Sequence, residues 1–455
     1  MENQENTFKE SYFIANKKIG WISGGFTITA TWTWAIALLV PSQKSYEQGF
    51  AGAFWYLIPS VLTLFIYCYF LSKVDEKFLD NYTLPQLMEK RWGDRVHKLY
   101  AGILAVLQIM CYAINIIAGS KLICTLLNVN YVMCTIVLAV FVLLYTIRGG
   151  FKSSVKTDVI QTLILCIGSI AVIIWLIKSF STQGQSILFG LREGMTGYEN
   201  KSFNSLFSEE GRNVFLSYGL TSMLGLITGP FGDQMYWQRA FAIKKENRNK
   251  AFMLAAVLFT IIPVSMIMTG FLAAYQVKGN MLQINDSANV AIEYIAHYLP
   301  AFSTAFFVIM VAAAITSTMD SCLCAFSSIV ANDVFPGKEK SVRKTAHVSM
   351  VALVFMSICI ANLPNISTLY LFMFYTVIRM CTFYPTVITC LGKDKEVKEN
   401  SIFLGIIFSL LIATPLYAYA YYIGHEILIF IGTILSIGFP ILFIKVQKGL
   451  LVKER

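Results

Sequence analysis

Apolar residues run through this chain in about twelve stretches of roughly 18 or more residues, separated by short polar loops. In hydrocarbon every backbone N–H and C=O must be satisfied within its own segment, so stretches of that length become membrane-crossing helices. They fall at 20–41, 51–72, 99–127, 130–147, 158–178, 213–238, 250–276, 300–332, 345–361, 366–391, 401–420 and 424–444. The chain therefore reads as an all-α polytopic membrane protein with about twelve transmembrane helices. With 56% hydrophobic and 14% charged residues, and a mean hydropathy of +0.62, a soluble class is excluded. The first run is read as a retained helix and not a cleavable signal, because no small-residue cleavage site follows it and Trp32, Trp34, Pro41 and Lys44 suit a retained helix better.

A net charge of +10 would suit a polyanion-binding protein, but its placement points elsewhere. With the N-terminus set in the cytoplasm, the outer loops carry only Lys44, Lys178, Arg192, Lys201, Arg212 and Lys278. Lys121 and Arg379 lie inside spans, and the remaining basic residues fall in the inner segments. Such asymmetry orients a cell-membrane protein with both termini cytoplasmic. No nucleic-acid partner is implied, and no obligatory protein partner either. The ten cysteines sit in or beside apolar spans at unrelated spacings, so no disulfide is expected. The four histidines form no metal-ligand pattern.

Two spans carry interruptions. The first holds "TITATWTWA" (27–35), and the sixth, five spans later, holds "GLITGPFGDQ" (225–234). Matched breaks in corresponding helices of two five-helix halves are the mark of an inverted repeat that lines a midplane site. The last two spans then lie outside the repeat. This divides the chain into a cytoplasmic N-terminus (1–19), a ten-helix core (20–391) and two further helices with a short tail (392–455). Gly225, Gly229, Pro230 and Gly232 alone are equally compatible with a simple kink.

In the eighth span "VAAAITSTMDSC" (311–322) gathers Thr316, Ser317, Thr318, Asp320 and Ser321. An intramembrane Asp costs roughly 2.5–3.5 kcal/mol to insert, so it needs a role. Clustered hydroxyls, together with carbonyls freed by a helix break, suit a small hard cation, although a hydroxyl also satisfies itself on the carbonyl four residues back. After the fourth span, "YTIRGGFKSSVKTDVIQT" (145–162) places Asp158 at the start of the fifth, either as a helix N-cap or as a cation relay.

These segments, with "YFIANKKIGW" (12–21), "DQMYWQRAFAIKK" (233–245) and "AAAITSTMDSCLCAFSSIVANDV" (312–334), resemble the successive signatures of the sodium/solute symporter family, whose fold is the LeuT-type inverted repeat. "ATWTWAIALL", "YEQGFAGAFWY" and "EKRWG" look most similar to its urea-transporter branch. The resemblance implies a non-enzymatic symporter that draws a small organic solute inward on sodium as coupling ion. It implies sodium ligands at the carbonyls of Ala30 and Thr33 and the hydroxyls of Ser317 and Thr318. Asp158 would take part in sodium release, and Asp320 would back the ligands. It also implies a solute site near Trp32, Asn115, Gly229, Asp233 and Thr376. Most members carry an extra helix before "YFIANKKIGW"; here eleven residues precede it, consistent with the cytoplasmic N-terminus.

Arg379, about one turn from Thr376, either clamps a solute carboxylate or pairs with Asp233 or Asp320. The solute is thus urea-like or a small carboxylate. Lys121, near the outer end of its span, is expected to snorkel. Proton coupling through Asp158 or Asp320 is the nearest alternative. A membrane-embedded enzyme using Asp158, Asp233 and Asp320, or a sensor, are the alternatives from other classes.

Overall fold

The computed structural model describes residues 2–127, 129–182, 184–337, 339–364, 366–393 and 396–453. It is built from helices: α1 (Trp21–Trp32), α2 (Ile36–Lys73), α3 (Asp94–Leu127) and α4 (Tyr131–Thr182) form the first half. The second half runs through α5 (Leu220–Thr228), α6 (Gln234–Ala242), α7 (Lys245–Lys278), α8 (Ala301–Ile329), α9 (Glu339–Ala361), α10 (Thr368–Met380) and α11 (Phe383–Cys390). Two helices follow, α12 (Glu399–Ile423) and α13 (Glu426–Lys453).

Among the described residues, nine helices are long and apolar enough to cross a bilayer, or ten if the bent pair α10–α11 is one span. The difference from twelve has a physical cause. α4 is 52 residues long, roughly 78 Å at 1.5 Å per residue, more than twice a hydrocarbon core. Gly150 (φ 54°, ψ −150°) breaks it. The chain doubles back there, because residues on both sides reach the same point on α8: Tyr145 Oη donates to the Thr316 carbonyl at 3.0 Å, and Gln161 Nε2 to the Thr316 hydroxyl at 2.9 Å. A side chain at Gly150 would strike Tyr12 and would be strained at that φ. α2 holds a similar hinge at Gly49 (φ 51°), so α2 and α4 each contain parts of two expected spans. α1, of 12 residues, is only half a span.

Between α4 and α5 lie two short helices, Ile187–Gly194 and Glu209–Val214, the second capped by Ser208 Oγ accepting from the Gly211 N–H at 3.0 Å. α13 fastens to the core through Ser436 Oγ donating to the Val377 carbonyl (2.7 Å) and through a Thr221–Thr433 hydroxyl pair (2.7 Å).

Candidate functional site

Both interruptions read from the sequence are real helix breaks. α1 ends at Trp32, and Thr33 leaves helical geometry (φ −91°, ψ 79°) before α2 resumes at Ile36. The backbone N–H of Ala35, freed inside the break, donates to Asn115 Oδ1 at 3.1 Å. Asn115 Nδ2 donates in turn to the Cys111 carbonyl at 2.9 Å, so this amide from α3 supports the break. A buried N–H without such an acceptor is costly, which gives Asn115 a local reason to be there.

The second break is a short 3₁₀ turn, Gly229–Gly232, between α5 and α6. Asp233 caps α6: its Oδ1 accepts from the Met235 N–H (3.0 Å) and from Gln108 Nε2 (3.0 Å), while its Oδ2 accepts from the Tyr375 hydroxyl. Three donors converging on one carboxylate suit the ionised form, which only accepts. Three glycines let α10 approach this break. A Cβ added at Gly225 would lie 2.6 Å from Thr376 Cβ, one at Gly229 2.7 Å from Arg379 Cζ, and one at Gly232 2.3 Å from Thr382 Oγ1.

α8 lies against the first break. Ser317 Oγ donates to the Ala30 carbonyl at 3.0 Å, bringing two of the expected cation ligands together. The same hydroxyl and that of Thr318 also reach the Ala314 carbonyl, at 3.0 and 3.1 Å. Thr31 and Ser321 hydroxyls meet at 3.1 Å one turn further along. Thr316 and Ser321 both back-bond to the carbonyl four residues before them, as helical hydroxyls do.

A charged cluster follows on the same side of α8. Asp158 is buried within α4, eight residues past the Gly150 hinge, and is not an N-cap. Its Oδ2 accepts from the Thr27 hydroxyl and from Arg239 Nη2 (3.1 Å), while its Oδ1 is buried without a partner. Arg239 Nη2 also donates to Ser321 Oγ at 2.8 Å, and its Nε to the Thr27 carbonyl at 3.2 Å. Asp320 does not meet Arg379. It accepts instead from Ser154 Oγ (2.6 Å), Tyr145 Oη (3.0 Å) and Thr157 Oγ1 (3.3 Å), all from α4. Arg239, just beyond the sixth apolar run, went unnoticed as an inner-loop cation. The signal for it was the apolar "AFAI" that follows, which makes a solvated position unfavourable.

Between the breaks lies a small cavity, lined by Trp32, Trp34, Tyr56, Ser60, Tyr236, Phe259, Phe372 and Arg379, with Ile36, Ala37 and Leu226 completing the wall. Trp32 is fixed by Nε1 donating to the Ser60 carbonyl (3.1 Å) and by edge contacts to Tyr236 and Phe259. Of the residues expected around the solute, Trp32 and Arg379 line the cavity. Asn115, Asp233 and Thr376 spend their polar atoms on the protein, and Gly229 seats the guanidinium. Arg379 does not ion-pair with Asp233: Nη2 donates to the Gly225 carbonyl at 2.6 Å, and the guanidinium lies 4.9 Å from the centre of the Tyr375 ring. Lys121 is exposed, with Nζ 3.4 Å from the Ile366 carbonyl.

Comparison with known proteins agrees with this architecture. The chain resembles a probable urea active transporter 1 of Schizosaccharomyces pombe, 24% identical over 382 residues, covering 78% of this chain and 56% of that protein. It also resembles a sodium/glucose cotransporter of Vibrio parahaemolyticus, 24% identical over 374 residues, covering 76% and 68% of the two chains. The chain spans about half the length of the curated urea transporters it matches. Its fold matches the solved structure of a substrate-bound, outward-open Na+-coupled sialic acid symporter with a TM-score of 0.80 at 16% identity, over 97% of this chain and 92% of that one. That likeness shows the five-plus-five inverted repeat with broken first and sixth helices, carried by a multi-pass membrane protein. The sequence profile of the sodium:solute symporter family, whose members are transporters and not enzymes, matches residues 12–389. The chain belongs to the sodium:solute symporter family.

Proposed function

We propose that this chain is a cation-coupled symporter that imports a small organic solute by alternating access, with sodium as the coupling ion. The observation that carries the reading is the Ser317 hydroxyl on the Ala30 carbonyl at 3.0 Å, a polar side chain of α8 resting on backbone that the first break exposes. Sodium is held there by the carbonyls of Ala30 and Thr33 and the hydroxyls of Ser317 and Thr318. Oxygen ligands of that kind suit a hard cation, and a cation bound between α1 and α8 favours the arrangement in which they touch. Asp158, with one carboxylate oxygen unpartnered, receives the cation on its way inward. The solute occupies the cavity between the breaks, against Trp32 and Arg379. The protein sits in the cell membrane with both termini cytoplasmic, as its basic residues favour. The transport core is 20–391, and 392–455 is an addition to it.

The test is uptake into proteoliposomes as a function of sodium. Ser317→Ala together with Thr318→Ala is expected to raise the sodium requirement several-fold while solute uptake at saturating sodium persists. Unchanged sodium dependence in the double variant would sink the site.

Proton coupling is the second reading, favoured by the charge count beside α8: of two buried carboxylates, Asp158 pairs with Arg239, while Asp320 is held by hydroxyls alone. A carboxylate left without a counter-charge in low dielectric takes up a proton readily. Sodium and proton gradients imposed separately across the same vesicles separate the two. Uptake driven by a proton gradient alone, and lost in Asp320→Asn, would favour protons.

A further inference from the structure

Among the described residues three arginines are buried, and their partners differ. Arg239 pairs with Asp158 at 3.1 Å, and Arg248 with Glu76 at 2.9 Å. Among the described residues, no carboxylate lies within ion-pairing distance of Arg379, although it is only 2% exposed. Its Nε has no hydrogen-bond partner. Arg379 is also the one of the three that lines the cavity between the breaks.

Beyond the Gly225 carbonyl and the Tyr375 ring the guanidinium has no direct ion pair, and its donors form a planar fork that matches a carboxylate. A second donor belongs to the same wall. The indole Nε1 of Trp34, another cavity-lining group, has the Tyr236 hydroxyl as its polar neighbour. The rest of the wall is aromatic: Trp32, Tyr236, Phe259 and Phe372. A guanidinium with an unsatisfied Nε and aromatic rings around it suits an acceptor-only head on an apolar body.

From this we infer that the transported solute is a small monocarboxylate with an apolar body, its head on Arg379 and its body among the aromatic rings. The inference rests on the symporter reading and specifies its substrate. Urea carries two donor amides and one acceptor, so much of its surface would set donors against the Arg379 donors. The local charge balance also accounts for coupling. The Asp233 carboxylate, bound to the hydroxyl of the ring over which Arg379 lies, already opposes the guanidinium. An incoming carboxylate therefore brings one negative charge in excess, and a cation at the neighbouring first break offsets it. Sodium should accordingly strengthen binding of the anion and leave a neutral isostere unaffected.

The test is a thermal-shift series on the purified full chain in detergent. The probes are acetate, butyrate, benzoate and phenylacetate, each beside its matched amide, and urea, all with and without sodium chloride against choline chloride. One or more carboxylates should raise Tm while the matched amide and urea do not, with an apparent affinity at least ten-fold higher in sodium. Arg379→Gln should remove the shift, and Arg379→Lys should retain part of it. A shift from urea or from an amide equal to that of its carboxylate overturns the inference, as does no shift with any carboxylate. Should Arg379→Gln fail to fold, the carboxylate–amide comparison on the unaltered protein still decides. Sodium-driven urea uptake without carboxylate binding would overturn this inference and leave the symporter reading standing. Carboxylate binding through Arg379 that ignores sodium would overturn the coupling and leave the anion site.

Discussion

Arg239 and Asp158 meet at 3.1 Å with both side chains fully buried, one carried by the helix after the second break and the other by α4. The pair therefore links the two halves of the repeat through charge. Removing one partner of such a pair leaves a charge in low dielectric without compensation, at a cost of about 3–5 kcal/mol. Arg239→Met should lower Tm strongly in detergent. Adding Asp158→Asn to it should recover most of the loss, since the orphan charge is then gone. A double variant no more stable than the single one would contradict this account.

The three glycines facing α10 differ in what a methyl group would meet. At Gly225 it would press on Thr376 Cβ, next to the backbone, whereas at Gly229 it would press on the far end of the flexible Arg379 side chain. Gly225→Ala should thus cost about 1–3 kcal/mol of stability by overpacking. Gly229→Ala should cost less but displace the guanidinium, so its signature is weakened solute binding at near-normal Tm. Parallel melting and binding curves distinguish them, and the reverse ranking in Tm would refute the assignment.

Asn115 holds the break in α1 by accepting from Ala35. Asn115→Ala leaves that N–H buried without an acceptor, a loss of about 1–3 kcal/mol. Asn115→Asp keeps an acceptor for Ala35 but loses the donor to the Cys111 carbonyl and buries a carboxyl, so it should also lower Tm. Equal melting temperatures for Asn115→Ala and the unaltered chain would show that the break does not depend on this amide.

The breaks and the oxygen cluster on α8 were legible because each rests on local sequence. Apolar run length sets the spans, Gly and Pro mark the second interruption, and hydroxyls four residues apart share a helix face. What was lost depends on tertiary placement. Asp233 reads as a site-lining carboxylate until the start of α6 is known, and only then does it become a cap. The partners of Asp320 were present in "KSSVKTDVIQ", where Ser154, Thr157 and Gln161 recur at helical spacing beside Asp158. That pattern marks a polar face on α4, but not that Gly150 folds this face back onto α8. Arg379 was recognised as a cation in need of a partner. Its partner is the Gly225 carbonyl, and Gly229, whose missing side chain leaves room, lets the guanidinium rest against the broken turn.

The seat of Arg379 against Gly225 and Gly229 has a thermodynamic consequence. Its position is set by main chain on one side and by the Tyr375 ring on the other, so few rotamers remain to be lost when a ligand arrives. The guanidinium is only 2% exposed, so little water remains on it for an arriving ligand to displace. A cavity prepared in this way binds by preorganisation, and its selectivity resides in the rigidity of a glycine-lined groove as much as in the charge it displays.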